Sequence, residues 1–119
     1  MTDNIENVTN TKGFVPLAVK YAKDMDDNFA EGIAGFYRAV WDERDDGLLI
    51  KQKHLLVFAI ACSGNNTESA IKILARLKKL GVTRTEIEDV IMIAAWTCGI
   101  QNFTNISSSL LEEMDRLGL

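Results

Sequence analysis

Histidine occurs once in the chain, at position 54, and cysteine twice, at 62 and 98. These are the side chains whose types could carry proton-transfer or redox chemistry. An imidazole moves protons near neutral pH because its ordinary pKa is about 6.5. A thiol that attacks a peroxide must ionise, and a second thiol must resolve the sulfenic acid that forms. Cys62 could be such a nucleophile, with Cys98 resolving it. Yet Cys62 closes the apolar run Leu55–Cys62, and Cys98 falls on an apolar helical face. A buried cysteine behaves as a small hydrophobe with a raised pKa, so the structural reading stands beside the redox one. His54 likewise reads either as a proton relay or as the polar residue at the start of a buried segment, flanked by Lys51 and Lys53.

A second polar cluster follows at Asn66, Glu68 and Ser69. Serine is a nucleophile only with a base nearby. Glu68 could act as acid or base, but a glutamate there equally compensates the dipole of a helix start. The stripe Phe29, Tyr37 and Trp41 reads as core in preference to a ligand cage. The turn Asp42-Glu43-Arg44-Asp45-Asp46-Gly47 is rich in carboxylates. They are adjacent and do not converge, and no EF-hand spacing follows, so a solvated loop is expected and no metal. No motif implies a cofactor.

These residues must be held by something, and the apolar pattern says what. Leu55–Cys62 is too short for a membrane span, which needs about 20 residues. With the unbroken lead from Leu48 it is helix length, and Ala59 and Ala61 suit close helix packing. A helix apolar on all sides must be covered on all sides, so a second subunit is expected to share in the cover. Ser63-Gly64 ends this helix, and Asn65 with Glu68 resembles a capping box opening the next. That helix carries Ala70, Ile73, Leu74, Leu77 and Leu80 at helical spacing and ends at Gly81. Thr83-Arg84-Thr85-Glu86 is a second capping box. The helix it opens has apolar residues at Ile87, Val90, Ile91, Ala94, Ala95 and Cys98, with Met92, Ile93 and Trp96 on other sides. Gly99 ends it. Phe103, Ile106, Leu110, Met114 and Leu117 mark a last amphipathic helix.

Upstream, residues 1–12 are polar and read as a flexible, frayed tail, with order beginning at Phe14, Val15 and Pro16. Pro16 suits a first helical turn. Leu17 to Met25 is a short helix, and Phe29, Ile33, Phe36, Tyr37, Val40 and Trp41 predict another over about residues 27–43. Gly32 and Gly35 within it are explained most simply by close helix packing. The expectation is an all-α chain with one domain over residues 13–119. A net charge of −4 argues against nucleic acid, whose phosphates need a basic patch. With no signal-like N-terminus, a cytoplasmic protein that does not span the membrane is expected.

The order Gly47-Leu48-Leu49, Lys51-Gln52-Lys53-His54-Leu55-Leu56, Gly81-Val82-Thr83 and Glu86-Ile87-x-x-Val90 resembles the carboxymuconolactone decarboxylase family, which includes the alkylhydroperoxidase-D-like proteins. The likeness runs over roughly residues 14–117. It implies an alkylhydroperoxidase-D-like all-α fold and assembly as a trimer or hexamer. Peroxidase members carry a Cys-x-x-Cys pair, a histidine four residues on, and a relay glutamate on the preceding helix. Counting back from Gly81, those positions hold Asn66, Ser69, Ile73 and His54 here. All four depart from the family pattern, including the histidine that decarboxylase members generally keep. Three functions follow as expectations. One is an enzyme of altered chemistry acting on a small organic acid, lactone or peroxide, with His54, Asn66, Glu68 and Ser69 as its site. Another is a non-catalytic oligomer binding a small molecule or a protein. The third is a thiol peroxidase (peroxiredoxin-type activity) using Cys62. If an ancestral site survives, His54 is expected to reach Asn66, Glu68 or Ser69 directly or through one water.

Overall fold

A computed structural model describes residues 3–12 and 16–119. Phe14 and Val15, where the sequence suggested that order begins, lie outside the described residues. Seven helices and no strand occur among the described residues; the all-α class was expected from the apolar periodicity, the first of the helices was not. The chain divides into two compact units, residues 1–46 and 47–119.

The first unit holds α1 (Asp3–Lys12), α2 (Leu17–Met25) and α3 (Asp27–Trp41). Pro16 stands one residue before α2, at its cap, with its carbonyl accepting from the Lys20 amide at 3.0 Å. Asp26 caps α3, its Oδ2 accepting from the Phe29 amide at 2.8 Å. Both α1 and α2 pack on α3. Their shared core is Val8, Val19 and Ala34, with Ile5, Ile33 and Tyr37 against it.

Where a frayed tail was expected, residues 3–12 are helical, and the physical reason is local. Ile5 and Val8 lie three apart and so share a face, and Val8 is buried. The Asn4 amide donates to Glu31 Oε1 at 3.1 Å, and Arg38 Nη1 donates to Asn4 Oδ1 at 3.3 Å. Polar composition hid a segment held by polar stitching. Gly35 takes part, since a Cβ there would lie 3.1 Å from Asn4 Nδ2; Gly32 has open space around it.

The second unit holds α4 (Ile50–Ser63), α5 (Thr67–Lys79), α6 (Arg84–Cys98) and α7 (Ile100–Leu117). α4 packs on α5 and α6, and α7 closes the bundle against α5 and α6. Four contacts fix the ends. Lys51 Nζ lies 3.3 Å from Glu86 Oε2, joining the start of α4 to the start of α6. Arg84 donates to Asp115 at 2.9 Å and to the Leu119 carbonyl at 2.7 Å, joining the start of α6 to the end of α7. At the opposite end Asn102 Nδ2 donates to the Cys62 carbonyl at 2.7 Å. Phe58, Leu74, Leu77, Ile87, Ile106, Leu110 and Met114 are fully buried between the four helices. Each such side chain stabilises the fold by about 1.5–3 kcal/mol relative to leaving it in water.

The caps explain the boundaries. Thr83 and Glu86 form the expected box: Glu86 Oε1 accepts from the Thr83 amide at 3.0 Å, and Thr83 Oγ1 accepts from the Glu86 amide at 3.1 Å. The cap of α5 is one residue later than expected. Asn65 takes a left-handed conformation (φ 55°), and Asn66 Oδ1 accepts from the Ser69 amide at 3.3 Å. At the end of α5, Gly81 has φ 77°, the Val82 amide donates to the Leu77 carbonyl at 3.0 Å, and that of Gly81 to Lys78 at 3.0 Å. This Schellman turn also brings Val82 into the core beside Leu77.

Candidate functional site

His54 sits on the second turn of α4 and is only 2% exposed. It shares its helix face with Phe58 and Ala61, which are also buried. Its Nδ1 is 2.8 Å from the Ile50 carbonyl one turn back. A carbonyl only accepts, so Nδ1 carries the proton in that bond. In the neutral ring Nε2 then holds the lone pair and is the atom able to take a proton.

Asn66, Glu68 and Ser69 lie beyond the other end of α4. A helix rises about 1.5 Å per residue, so His54 and Ser63 are separated by roughly 13 Å along the axis. Asn66 caps α5 through the Ser69 amide. Glu68 is exposed in the first turn of α5 and pairs with Lys72 at 3.1 Å, the ordinary i,i+4 arrangement near a helix start. Ile73, at the family's histidine position, packs against the core.

Cys62 has no exposed surface, and burial pushes its thiol up to about 11. Very little thiolate forms near neutral pH at such a value, which removes the species that attacks a peroxide. Cys98 is exposed at the last residue of α6. Both cysteines are free.

Two clefts were not legible in the sequence, because each is formed by residues on different helices. In the first unit, Ala18, Ile33, Phe36, Tyr37, Val40 and Trp41 line an almost wholly apolar cleft of about 330 Å³. Tyr37 and Trp41 of the aromatic stripe belong to its walls, whereas Phe29 does not line it. In the second unit, Glu88, Ile91, Met92, Phe103, Ser107 and Leu111 line a groove of about 280 Å³ between α6 and α7. The periodicity of Phe36 and Val40 beside Tyr37 and Trp41 was the one available signal for the first cleft. Nothing in the sequence pointed to the second. Among the described residues no helix is long and apolar enough to cross a membrane.

Four helices packed around the core of Phe58, Leu74, Leu77, Ile87, Ile106, Leu110 and Met114 define a helical-bundle class. Residues 27–110 match the model of the carboxymuconolactone decarboxylase family, and this chain belongs to that family. No curated protein and no solved structure matches it. Its two cysteines are far apart in sequence, so the Cys-x-x-Cys pair of the peroxidase members is absent.

Proposed function

We propose that this family member is a homo-oligomeric small-molecule-binding protein that works without thiol chemistry. The observation that carries the reading is the structural employment of the residues at the family's reactive positions. Asn66 spends its side-chain oxygen on the cap of α5, and Ile73 belongs to the packing. Cys62, the one nearby thiol, is fully buried and protonated. The bound molecule would place an uncharged apolar body, of the size of one or two rings, in the cleft at Phe36, Tyr37, Val40 and Trp41. Homo-oligomeric assembly, as a trimer or hexamer, is supported by the exposed apolar residues of α4 and α6. We place the protein in the cytoplasm, where two free thiols such as Cys62 and Cys98 persist. Reading residues 13–119 as one family domain is supported by the match over residues 27–110, which spans both compact units.

The test is a binding screen of aromatic and lactone-containing small molecules. It is read by thermal shift and by Trp41 fluorescence in a Trp96→Phe background. A saturable response that Val40→Arg removes is expected. The absence of any binder, or binding indifferent to Val40→Arg, would overturn the assignment.

One observation favours a second reading. His54 is the buried titratable side chain at the family's relay position, with its proton on Nδ1. An enzyme using Nε2 as acid–base on a small organic acid or lactone would need that atom to meet substrate. Turnover lost in His54→Gln with the fold intact would establish it.

A further inference from the structure

From Val90 to Leu111 the sequence carries no charged side chain. The charges of α6 and α7 all lie outside that stretch. α6 begins with Arg84, Glu86, Glu88 and Asp89, and α7 closes with Glu112, Glu113, Asp115 and Arg116. The two helices pack on each other, and the bond from Arg84 to Asp115 at 2.9 Å brings those two ends together. Acid therefore gathers at one end of the helix pair. Lys51 answers Glu86, and Arg116 answers Glu113. Arg84 alone serves both Glu88, at 3.3 Å, and Asp115. One guanidinium between two carboxylates leaves that end negative.

The groove of about 280 Å³ between α6 and α7 opens onto this end. Its walls are apolar at Ile91, Met92, Phe103 and Leu111, and its polar side chains are Glu88 and Ser107. Both of these only accept. The Ser107 hydroxyl spends its one proton on the Phe103 carbonyl, so lone pairs are what it has left. Glu88 Oε2 accepts from Arg84 Nε at 3.3 Å, which leaves Oε1 for another donor. The backbone amides of the lining residues are engaged within their helices. A groove with acceptors and no free donor, beside a net negative charge, selects a cation that donates. A primary ammonium brings three donors and no acceptor. An alcohol brings one donor and no charge, and a carboxylate would meet its own sign. The volume is at the small end of ligand sites, enough for one ring on a short chain. The Met92 thioether and the Phe103 ring suit an aromatic body there.

We propose that the α6–α7 groove is a binding site for a small arylalkylamine, with the ring against Met92 and Phe103 and the ammonium on Glu88 Oε1. The site lies wholly within the second unit and is separate from the cleft at Tyr37 and Trp41.

The test is calorimetric titration near neutral pH with phenylpropylamine, phenylpropanol and phenylpropionate. The proteins are the unaltered chain, Glu88→Gln, Ser107→Phe and Leu111→Lys. The first variant removes the charge, the second fills the groove from α7, and the third brings a competing ammonium to the same wall. Leu111 is partly exposed, so Leu111→Lys keeps the test open if Ser107→Phe misfolds; circular dichroism checks all three. The unaltered chain is expected to bind the amine saturably and at least about tenfold more tightly than the alcohol, with no binding of the propionate. Glu88→Gln is expected to weaken the amine by at least about tenfold, and the folded groove variants to abolish its binding. No saturable binding of the amine to the unaltered chain would overturn the site. So would an alcohol or propionate that binds as tightly, or amine binding that ignores Glu88→Gln and Leu111→Lys.

Discussion

Lys51 Nζ and Glu86 Oε2 meet at 3.3 Å, and through them the first turn of α4 is tied to the first turn of α6. Glu86 also closes the capping box with Thr83, so one carboxylate serves a helix start and an inter-helix contact. The Thr83 amide first, and Lys51 after it, hold its pKa below the ordinary carboxylate value. A depressed folded-state pKa contributes stability that is fully present above the unfolded value, about 4.3, and lost as pH falls through the folded value. The difference in urea midpoint between the unaltered chain and Glu86→Gln should therefore be largest near neutral pH and shrink below about pH 4. A difference independent of pH would show that the carboxylate charge contributes nothing.

Thr83→Ala should destabilise the protein by about 1 kcal/mol, since it removes the hydroxyl that caps the Glu86 amide. Asn66→Ala should cost a similar amount, and Asn66→Asp much less, because the carboxylate can still accept from Ser69. Denaturant titration checks both. Equal losses in Asn66→Ala and Asn66→Asp would argue that the amide does something other than cap α5.

Gly32→Ala should stabilise the chain by up to about 1 kcal/mol, because α3 has open space there and glycine weakens a helix interior. Gly35→Ala should not, since its Cβ would press on Asn4 at 3.1 Å. The close-packing explanation thus holds for Gly35 and not for Gly32. Thermal melts of the two variants decide it; a destabilised Gly32→Ala would mean that the open face of α3 is covered in the assembled protein.

Native thiol labelling at pH 8 should proceed in two phases. Cys98 is exposed and should react at once, whereas Cys62 is buried with its thiol near 11 and should react only on unfolding. Rapid labelling of both thiols would contradict the burial of Cys62.

Most of the helices were legible in the sequence because their signals are local. Pro16, the Thr83–Glu86 box, Gly81 and Gly99 mark ends, and the periodic apolar residues mark faces. The helix at residues 3–12 was not, because Glu31 and Arg38, which hold it, lie about thirty residues away. The shift of the α5 cap from Asn65 to Asn66 was equally hidden, since either asparagine can cap and only the backbone decides. For the site, sequence position placed His54 opposite Asn66 and Ser69 by family correspondence. The length of α4 then sets them at its two ends, a spacing that residue types alone do not carry.

The proposed function turns on the absence of thiol chemistry. The most direct measurement is turnover of alkyl hydroperoxides, with a dithiol reductant, by the unaltered chain, Cys62→Ser and His54→Gln, with carboxylated lactones as parallel substrates. No consumption above the buffer rate is expected for any of the three proteins. Robust turnover in the unaltered chain that Cys62→Ser or His54→Gln abolishes, with the helical content unchanged, would contradict the proposed function.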